Sequence, residues 1–546
     1  MLTAKHKSMT WRKSLKRIAL VILCFISMTG CIICQINNSF EISKDELGAR
    51  LRFLSSDLLQ GRYPGTQGEK LTTAYLISEL ESFGVSPGVN KSWYQPVSIV
   101  KHWENNEFKP EAMLSGRIKR KLEHGKDILF SNYTNRACVD TIGDLVFVGF
   151  GINAPMYGWN DFNGIDLHGK IAVVLLGEPS VPDDSTMFNG IRASRYSSWV
   201  DKMPEMERLG AIGVLCVVPE GSITNDPVTG VYRIEEDAAR STLLFTGIIT
   251  DSTLSALLPP GSPLVTDLFK SAVKPGFCAL PLGVRLGVFF QTLPTIIKTN
   301  NVVGVVQGTD SLLKHEHIVI SSHWDAYGIT APIDGDSICN GALDDGSGLT
   351  IELALARVIA NNPQPRSVTF LFATAEEFML LGAEAFIMNG PLPTDHIIAN
   401  FNLDDGFELF GVKRDIASLG VESSSFGQVV SELAHEKGLR VTPDQFPEEG
   451  FFLRADNYPF ARAGIPALYM ALGTEDENHP AGWTKVRSDE YLKKHYHKPS
   501  DNFDTVVLDL GGALQLAEIT RDLIIAVAKA KERPYWIQGS EFSRDK

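Results

Sequence analysis

Apolar positions along the chain fall into two textures. Leu76, Leu80 and Phe83 recur at helical spacing and Gly84 supplies a stop, which predicts a helix capping a larger sheet. Ahead of it lie the turn formers Gly61-Arg62 and Pro64-Gly65, which indicate nothing catalytic by themselves. From about residue 128 the texture changes to short β-rich runs, at 145–148, 171–176, 213–218, 243–249 and 284–290, punctuated by Gly, Pro and Asn. Few helical patterns intervene; one, from Met203 to Leu209, ends at Gly210. Residues 128–295 therefore read as a separate β-rich unit. Around Asn301 strands and helices alternate again. Strands are predicted at 302–306, 317–320, 368–373, 397–403 and 465–470. Helices are predicted after Gly348 (Ile351, Leu355, Val358), from 424 to 437 and from 507 to 530. This alternation implies an α/β fold, a sheet with helices on both faces. The simplest layout is one α/β domain, residues 41–127 and 296–535, interrupted by the β-rich unit.

Length and charge narrow the classes. A chain of 546 residues exceeds one compact core, so two or three domains are expected. A net charge of -14 argues against general nucleic-acid binding and against electrostatic attachment to an anionic membrane. The seven cysteines form no paired framework, and Cys31-Ile-Ile-Cys34 lies beside an export segment rather than in a redox motif. Arg12, Lys13, Lys16 and Arg17 precede an apolar run, 18–28, too short to span a bilayer securely, so residues 1–31 read as an export signal. Ser27-Met-Thr-Gly-Cys31 resembles a bacterial lipobox, which implies membrane attachment through a lipidated Cys31. Plain secretion and an uncleaved anchor are the competing readings. All three put the folded part outside the cytoplasm, in the periplasm or at the cell surface.

The chemistry gathers where apolar strands end. Phe370-Leu-Phe-Ala-Thr-Ala-Glu376-Glu377 is a buried strand closing on two acids, and ligands in open α/β sheets sit at the carboxyl ends of strands. Other potential metal ligands occur in Ser322-His323-Trp-Asp325, in Asp344-Asp345-Gly-Ser-Gly348, in Leu403-Asp404-Asp405-Gly406 and in His497-Lys-Pro-Ser-Asp501. Zinc takes imidazole nitrogen and carboxylate oxygen, and a two-metal site needs a bridging carboxylate. His323, Asp344, Glu377, Asp404 and His497 meet that count, with Asp344 as the natural bridge. Glu376 is then left as a general base, and Asp325 could orient His323 or shape the pocket. Asp345 and Asp405 adjoin these candidates and could exchange roles with them. Asp334-Gly-Asp336 lacks the later ligands of a calcium loop.

As a set these motifs resemble the di-zinc aminopeptidase and glutamate carboxypeptidase family. The resemblance rests on His-x-Asp, Asp-Asp-x-Ser-Gly, Glu-Glu, Leu-Asp and His-x-Pro-x-Asp in that order. It implies a zinc exopeptidase fold holding two zinc ions on the five residues named above, with Glu376 as base and Asp325 as the Asp of the first motif. Tyr496, directly before His497, resembles a tyrosine that steadies the oxyanion in that family; Tyr458 is its rival. Phe147-Val-Gly-Phe-Gly-Ile-Asn-Ala-Pro155, Gly158-Trp-Asn-Asp161 and Gly169-Lys170 resemble a protease-associated domain inserted before the His-x-Asp strand. Leu54-Ser-Ser-Asp57, Gly61-Arg62 and Pro64-Gly-Thr66 resemble the family's amino-terminal region. Ala455-Asp456-Asn457 departs from the family's Ser-Asp-His. The implied activity is hydrolysis of the amino-terminal bond of a peptide substrate. Rival activities on one scaffold are a one-zinc glutaminyl cyclase and a carboxypeptidase for acidic peptides, for which Arg454 and Arg462 are the available cations. A non-catalytic receptor-like binding protein is the alternative of another class. The insert is expected to shape access to the site or the assembly of subunits, and residues 446–494 to form loops over the pocket.

Overall fold

The computed structural model describes residues 41–105, 107–179, 186–223 and 231–543. The export segment and Cys31 lie outside the described residues. No helix among the described residues is long and apolar enough to cross a membrane.

The chain opens with helix α1 (Lys44–Leu54). Ser43 caps it by accepting the Glu46 N–H, and Asp45 and Glu46 occupy the first turn, where acids suit the helix dipole. Helix α2 (Gln67–Phe83) follows and stops at Gly84, which takes the left-handed conformation that favours glycine. Strands β1 (Tyr94–Glu104) and β2 (Leu280–Val306) then bracket the insert. The remaining elements are β3 (His317–His323), α3 (Ser347–Asn361), β4 (Ser367–Ala373), α4 (Leu381–Asn389), β5 (Ile397–Asn402), α5 (Phe426–Glu436), β6 (Ala467–Tyr469) and α6 (Gly511–Lys529).

The sheet runs β6–β5–β3–β4–β2. Its first four strands are parallel, and β2 joins β4 antiparallel through Val302–Val306. Every residue of β3, β4 and β5 is buried, as expected of strands covered on both faces. One face packs under α1, α2, α3, α5 and α6; the other meets α4 and the short helix Asn457–Arg462. Helix α3 is predicted as a one-sided stripe, but it is buried almost all round, because it lies between the sheet and a second layer formed by α1, α2 and α6.

The insert differs in two ways from the sequence expectation. Glu111–Gly116 pairs with β2 at Val284–Phe289, and Ala112, Leu114 and Leu122 belong to the insert's core, so the unit reaches back before residue 128. It is also not only β: Cys138–Phe147, Ile171–Leu175, Gly213–Val218 and Phe245–Thr250 run parallel, with helices at Trp199–Arg208, Glu235–Arg240, Asp251–Leu257 and Val265–Ala272. Helices this short give too few repeats for periodicity to register. Strand β2 passes through both units: its first half completes the insert's sheet, and its second half pairs with β1 and then β4.

His317, at the start of β3, is buried and bonded through Nδ1 to the Thr369 hydroxyl at 2.9 Å. Burial, helped by His396 and His315, holds its imidazole down at about 4. In the unfolded chain the group titrates near ~6.5. Between those values the unfolded chain binds a proton that the folded chain refuses, so stability falls as the pH drops from about 6.5 towards 4. His317→Gln is expected to remove about 2–3 kcal/mol of the loss between pH 7 and pH 4.5, measured by urea unfolding of both proteins at each pH.

Candidate metal centre and active site

The carboxyl ends of three adjacent parallel strands bring the chemistry together. His323 closes β3 in register with Ala373 of β4, and Ser321 is level with Asn402 of β5. Glu376 and Glu377 follow β4 by a few residues, and Asp404 follows β5. Asp344 comes from the turn before α3, and His497 from the loop before the last helices. His497 (φ 58°) and Ala375 (φ 55°) are held in the left-handed region, a strained conformation that recurs at functional positions.

Asp344 stands between the two histidines. Its Oδ1 lies 3.1 Å from His323 Nε2 and its Oδ2 3.3 Å from His497 Nε2. Asp404 Oδ1 is 3.5 Å from His323 Nε2, and Glu377 Oε2 is 3.1 Å from His497 Nε2. Both Nε2 atoms are buried and make no hydrogen bond among the described residues. Two sets of donor atoms result, sharing Asp344: His323 with Asp404, and His497 with Glu377. By proximity alone Asp345 also falls with His323 and Asp404. Both its oxygens are occupied, however: Oδ2 accepts the His323 N–H and Oδ1 the Gly348 N–H, each at 3.0 Å. Asp345 thus ties the end of β3 to the start of α3. A methyl group at Gly348 would sit 2.0 Å from the Leu403 carbonyl oxygen and 2.4 Å from Asp345 Oδ1, so only glycine permits this approach.

Asp325 is fully buried and serves two neighbours. Its Oδ1 accepts the Glu376 N–H at 3.1 Å, and its backbone carbonyl takes the His323 Nδ1–H at 3.1 Å. That second bond assigns the proton to Nδ1 and leaves the Nε2 lone pair facing the acids. Glu376 Oε2 lies 3.8 Å from His323 Nε2, beside both sets of donors. Burial raises the Glu376 carboxyl well above its ordinary value; His323 opposes this, and Asp404 and Glu377 add to it. Burial and the nearby Asp344 push Glu377 up to about 7. Burial works against a charged His497, yet Glu377 and Asp344 push its imidazole up to about 10. These directions describe a site short of positive charge.

Two spaces open from the centre. A small pocket of about 40 Å³ has Asp344, Glu376 and Asp404 at its floor and Phe407, Phe451, Tyr469, Tyr491, Arg454 and Tyr496 around it. A broad cleft of about 400 Å³ leaves past Glu377 and His497, between Ser197–Val200 of the insert and Glu448–Arg454 of the main domain.

Residues 301–524 match the model of peptidase family M28. The chain is 23% identical over 252 residues to aminopeptidase YwaD of Bacillus subtilis, a match covering 44% of this chain and 47% of that protein. It is 39% identical over 93 residues to a vacuolar membrane protease of Candida tropicalis, covering 16% of this chain and 9% of that protein. The chain thus spans less than half the length of these curated relatives. Among solved structures, an aminopeptidase from Aneurinibacillus sp. strain AM-1 aligns with a TM-score of 0.47 at 18% identity, over 89% of this chain and 94% of that one. A zinc aminopeptidase from Bacillus subtilis, BSAP, aligns at 0.41 and 18%, over 90% and 97%.

Within the matched segment the two candidate tyrosines separate. The Tyr496 hydroxyl is at the site and accepts a bond from Arg454 Nη2 at 3.0 Å. Tyr458 donates instead to Asp201 of the insert, at 2.5 Å. Arg462 is likewise engaged away from the donor atoms, by Asp201 and Glu384, while Arg454 lines both spaces. Asp456 is buried with neither oxygen hydrogen-bonded among the described residues, and burial pushes its carboxyl up to about 8.

Several roles escaped the sequence reading. Tyr469 donates to the Asp404 carbonyl at 2.7 Å. Asp501 accepts the N–H groups of Leu343 and Asp344 and the Tyr491 hydroxyl, which holds the turn that aims Asp344. Arg62 is fully buried; Nε donates to Trp324 O, Nη1 to Leu54 O and Asn340 O, and Nη2 to Gly341 O. Its neighbour Gly61 (φ 67°) runs so close to Gly328 and Cys339 that a Cβ would meet their backbones at 2.5–2.7 Å. Gly61-Arg62 is thus a device that locks the His323–Asp325 segment to the Asp344 turn. A buried guanidinium is a signal only if its burial is known. Arg62→Met is expected to destabilise the fold by about 3–5 kcal/mol in urea unfolding, because it strips buried carbonyls of a charged donor.

Proposed function

We propose that the chain is a zinc-dependent aminopeptidase that holds two zinc ions on His323, Asp344, Glu377, Asp404 and His497, with Asp344 between them. The observation that carries this reading is the pair of buried, unbonded Nε2 atoms on opposite oxygens of one carboxylate, each with a second acid beside it. The donor set suits the ion: imidazole nitrogen and carboxylate oxygen are zinc ligands, and added positive charge would relieve the crowding of acids. Bound there, two zinc ions would lower the pKa of a water and polarise the scissile carbonyl.

The chain's own residues supply the rest. Glu376 makes no side-chain hydrogen bond among the described residues; it takes the proton from the attacking water, then returns it to the leaving amine. Asp325 positions this base through the Glu376 N–H and orients His323 through its backbone carbonyl. Tyr496, held by Arg454, offers a hydroxyl to the oxyanion. The two spaces support exopeptidase action. The acids of the small pocket would draw a free terminal amine, and the broad cleft of about 400 Å³ would take the rest of the peptide.

Arg454 favours one second reading, a carboxypeptidase for acidic peptides, since it is the cationic side chain lining both spaces among the described residues. A guanidinium has five donors, and Arg454 commits two of them, to Tyr496 and to the Glu449 carbonyl. Comparing a peptide acid with its amide separates the two. The aminopeptidase cleaves both at similar rates, whereas the carboxypeptidase loses the amide by at least about tenfold, as expected when a buried charged contact goes unmade.

Glu376→Gln is expected to keep both metals by atomic absorption and to lose at least about 100-fold in kcat on an aminoacyl-nitroanilide. The chelator-stripped wild type should be inactive and regain activity with zinc. Full activity in the variant would remove Glu376 from the mechanism; activity that survives stripping would remove the metals.

A further inference from the structure

The cleft that would receive the leaving peptide has walls from two units, and the carboxyl-terminal stretch touches both. Trp536 and Phe542 are buried and pack on each other with tilted rings, centroids 5.1 Å apart. Both also pack on Phe452, at 6.4 and 5.6 Å, and Phe542 meets Tyr458 edge-on at 6.1 Å. Phe452 belongs to the loop whose neighbours Gly450, Leu453 and Arg454 form one wall. The Glu541 carboxylate accepts the Arg195 N–H at 2.6 Å and Asn189 Nδ2 at 3.1 Å, and its backbone carbonyl accepts Arg195 Nη1 at 3.3 Å. Arg195 itself does not line the cleft, but it lies in sequence between Ala193 and Ser197, which belong to the opposite wall.

The contacts continue inward. Arg195 Nε pairs with Asp201 at 3.1 Å, and Asp201 also holds Arg462 at 2.8 Å. Arg462 reaches Glu384 on α4 at 3.0 Å, and α4 begins directly after the Glu376–Glu377 loop. The covalent connection between the units, the β1–β2 ribbon, contributes no residue to this cleft. The distance between the walls is therefore set by side-chain contacts. The bond from a backbone N–H to a buried carboxylate is among the shorter and more directional of them.

We propose that Glu541 is a positioning residue: with Phe542 it straps the insert's wall at 193–200 to the loop at 450–454, and so fixes the cleft for the part of a peptide substrate beyond the scissile bond. The proposal rests on the peptidase reading for its effect on catalysis, though the contacts themselves do not. Wild type, Glu541→Gln, Phe542→Ala and a chain lacking residues 541–546 are compared on leucyl-p-nitroanilide and on a leucine-led tetrapeptide amide. In the shortened chain KM for the tetrapeptide is expected to rise about tenfold, with kcat on it and both constants for the nitroanilide held within about twofold. Glu541→Gln, which keeps a neutral acceptor, should fall between that chain and wild type. Equal losses on both substrates would make the strap merely structural and overturn the proposal, as would an unchanged KM. Hydrogen exchange reads the positioning without turnover. Faster exchange over 193–200, with β3 and β4 unaltered, is expected in the variants, and unchanged exchange there sinks the proposal. A wild type that cleaves neither substrate would refute the peptidase reading alone, and the exchange result would still decide the strap.

Discussion

Everything at this site follows from the convergence of carboxylates at the end of a buried parallel sheet. Asp325, Asp344, Glu376, Glu377 and Asp404 are all brought within reach of His323 or His497. Mutual repulsion in a poorly solvated setting would drive such groups apart or neutralise them. The chain resists by committing backbone to the purpose: N–H groups from His323, Gly348, Leu343, Asp344 and Glu376 each point at an acid. Those donors hold positions, not charge, and the deficit of positive charge is what makes the place fit for cations.

The supporting parts divide the labour by distance. Asp345 and Asp501 fix the turn that aims Asp344, and Asp325 fixes Glu376 and one imidazole. Arg62 reaches from the amino-terminal region across to two of these segments and donates to four backbone carbonyls. The amino-terminal residues are therefore part of the centre's framework, although none of them touches the donor atoms. Burial pulls the Arg62 guanidinium below its usual range, and the carboxylates of Asp345 and Asp501 pull it back. The same negative field that the centre needs relieved thus helps to keep its main cationic support charged.

Much of this was legible in the sequence because strand-end chemistry is written locally. An apolar run closing on His323, on Glu376-Glu377 or on Leu403-Asp404 declares both the strand and the residue it presents, and the parallel register then gathers them. The α/β architecture, with an interrupting unit, was readable for the same reason. What stayed hidden depends on three-dimensional proximity. Asp345 and Asp344 are adjacent and chemically identical, and only the backbone N–H groups around them tell a brace from a bridge. Tyr458 and Tyr496 both looked available until one was found bonded to the insert. Gly61-Arg62 read as a turn because three of the four carbonyls that Arg62 meets, those of Trp324, Asn340 and Gly341, lie several hundred residues away. Of the insert's helices only the one before Gly210 was legible, the other three being too short, and its early strand was missed because residues 111–116 find their partner only at 284–289.

Strand β2 carries a consequence of its own. A single extended segment lies first inside the insert's sheet, between Glu111–Gly116 and Cys138–Phe147, and then in the main sheet, and successive side chains along it point to opposite faces. Adding or removing one residue midway would invert the inside and outside of every position downstream, so the two units are locked in rotational phase as well as joined. A chimera that exchanged the insert would have to preserve the parity of that strand, and only exchanges of even length change would leave Val302 and Gly304 facing the helices they now face.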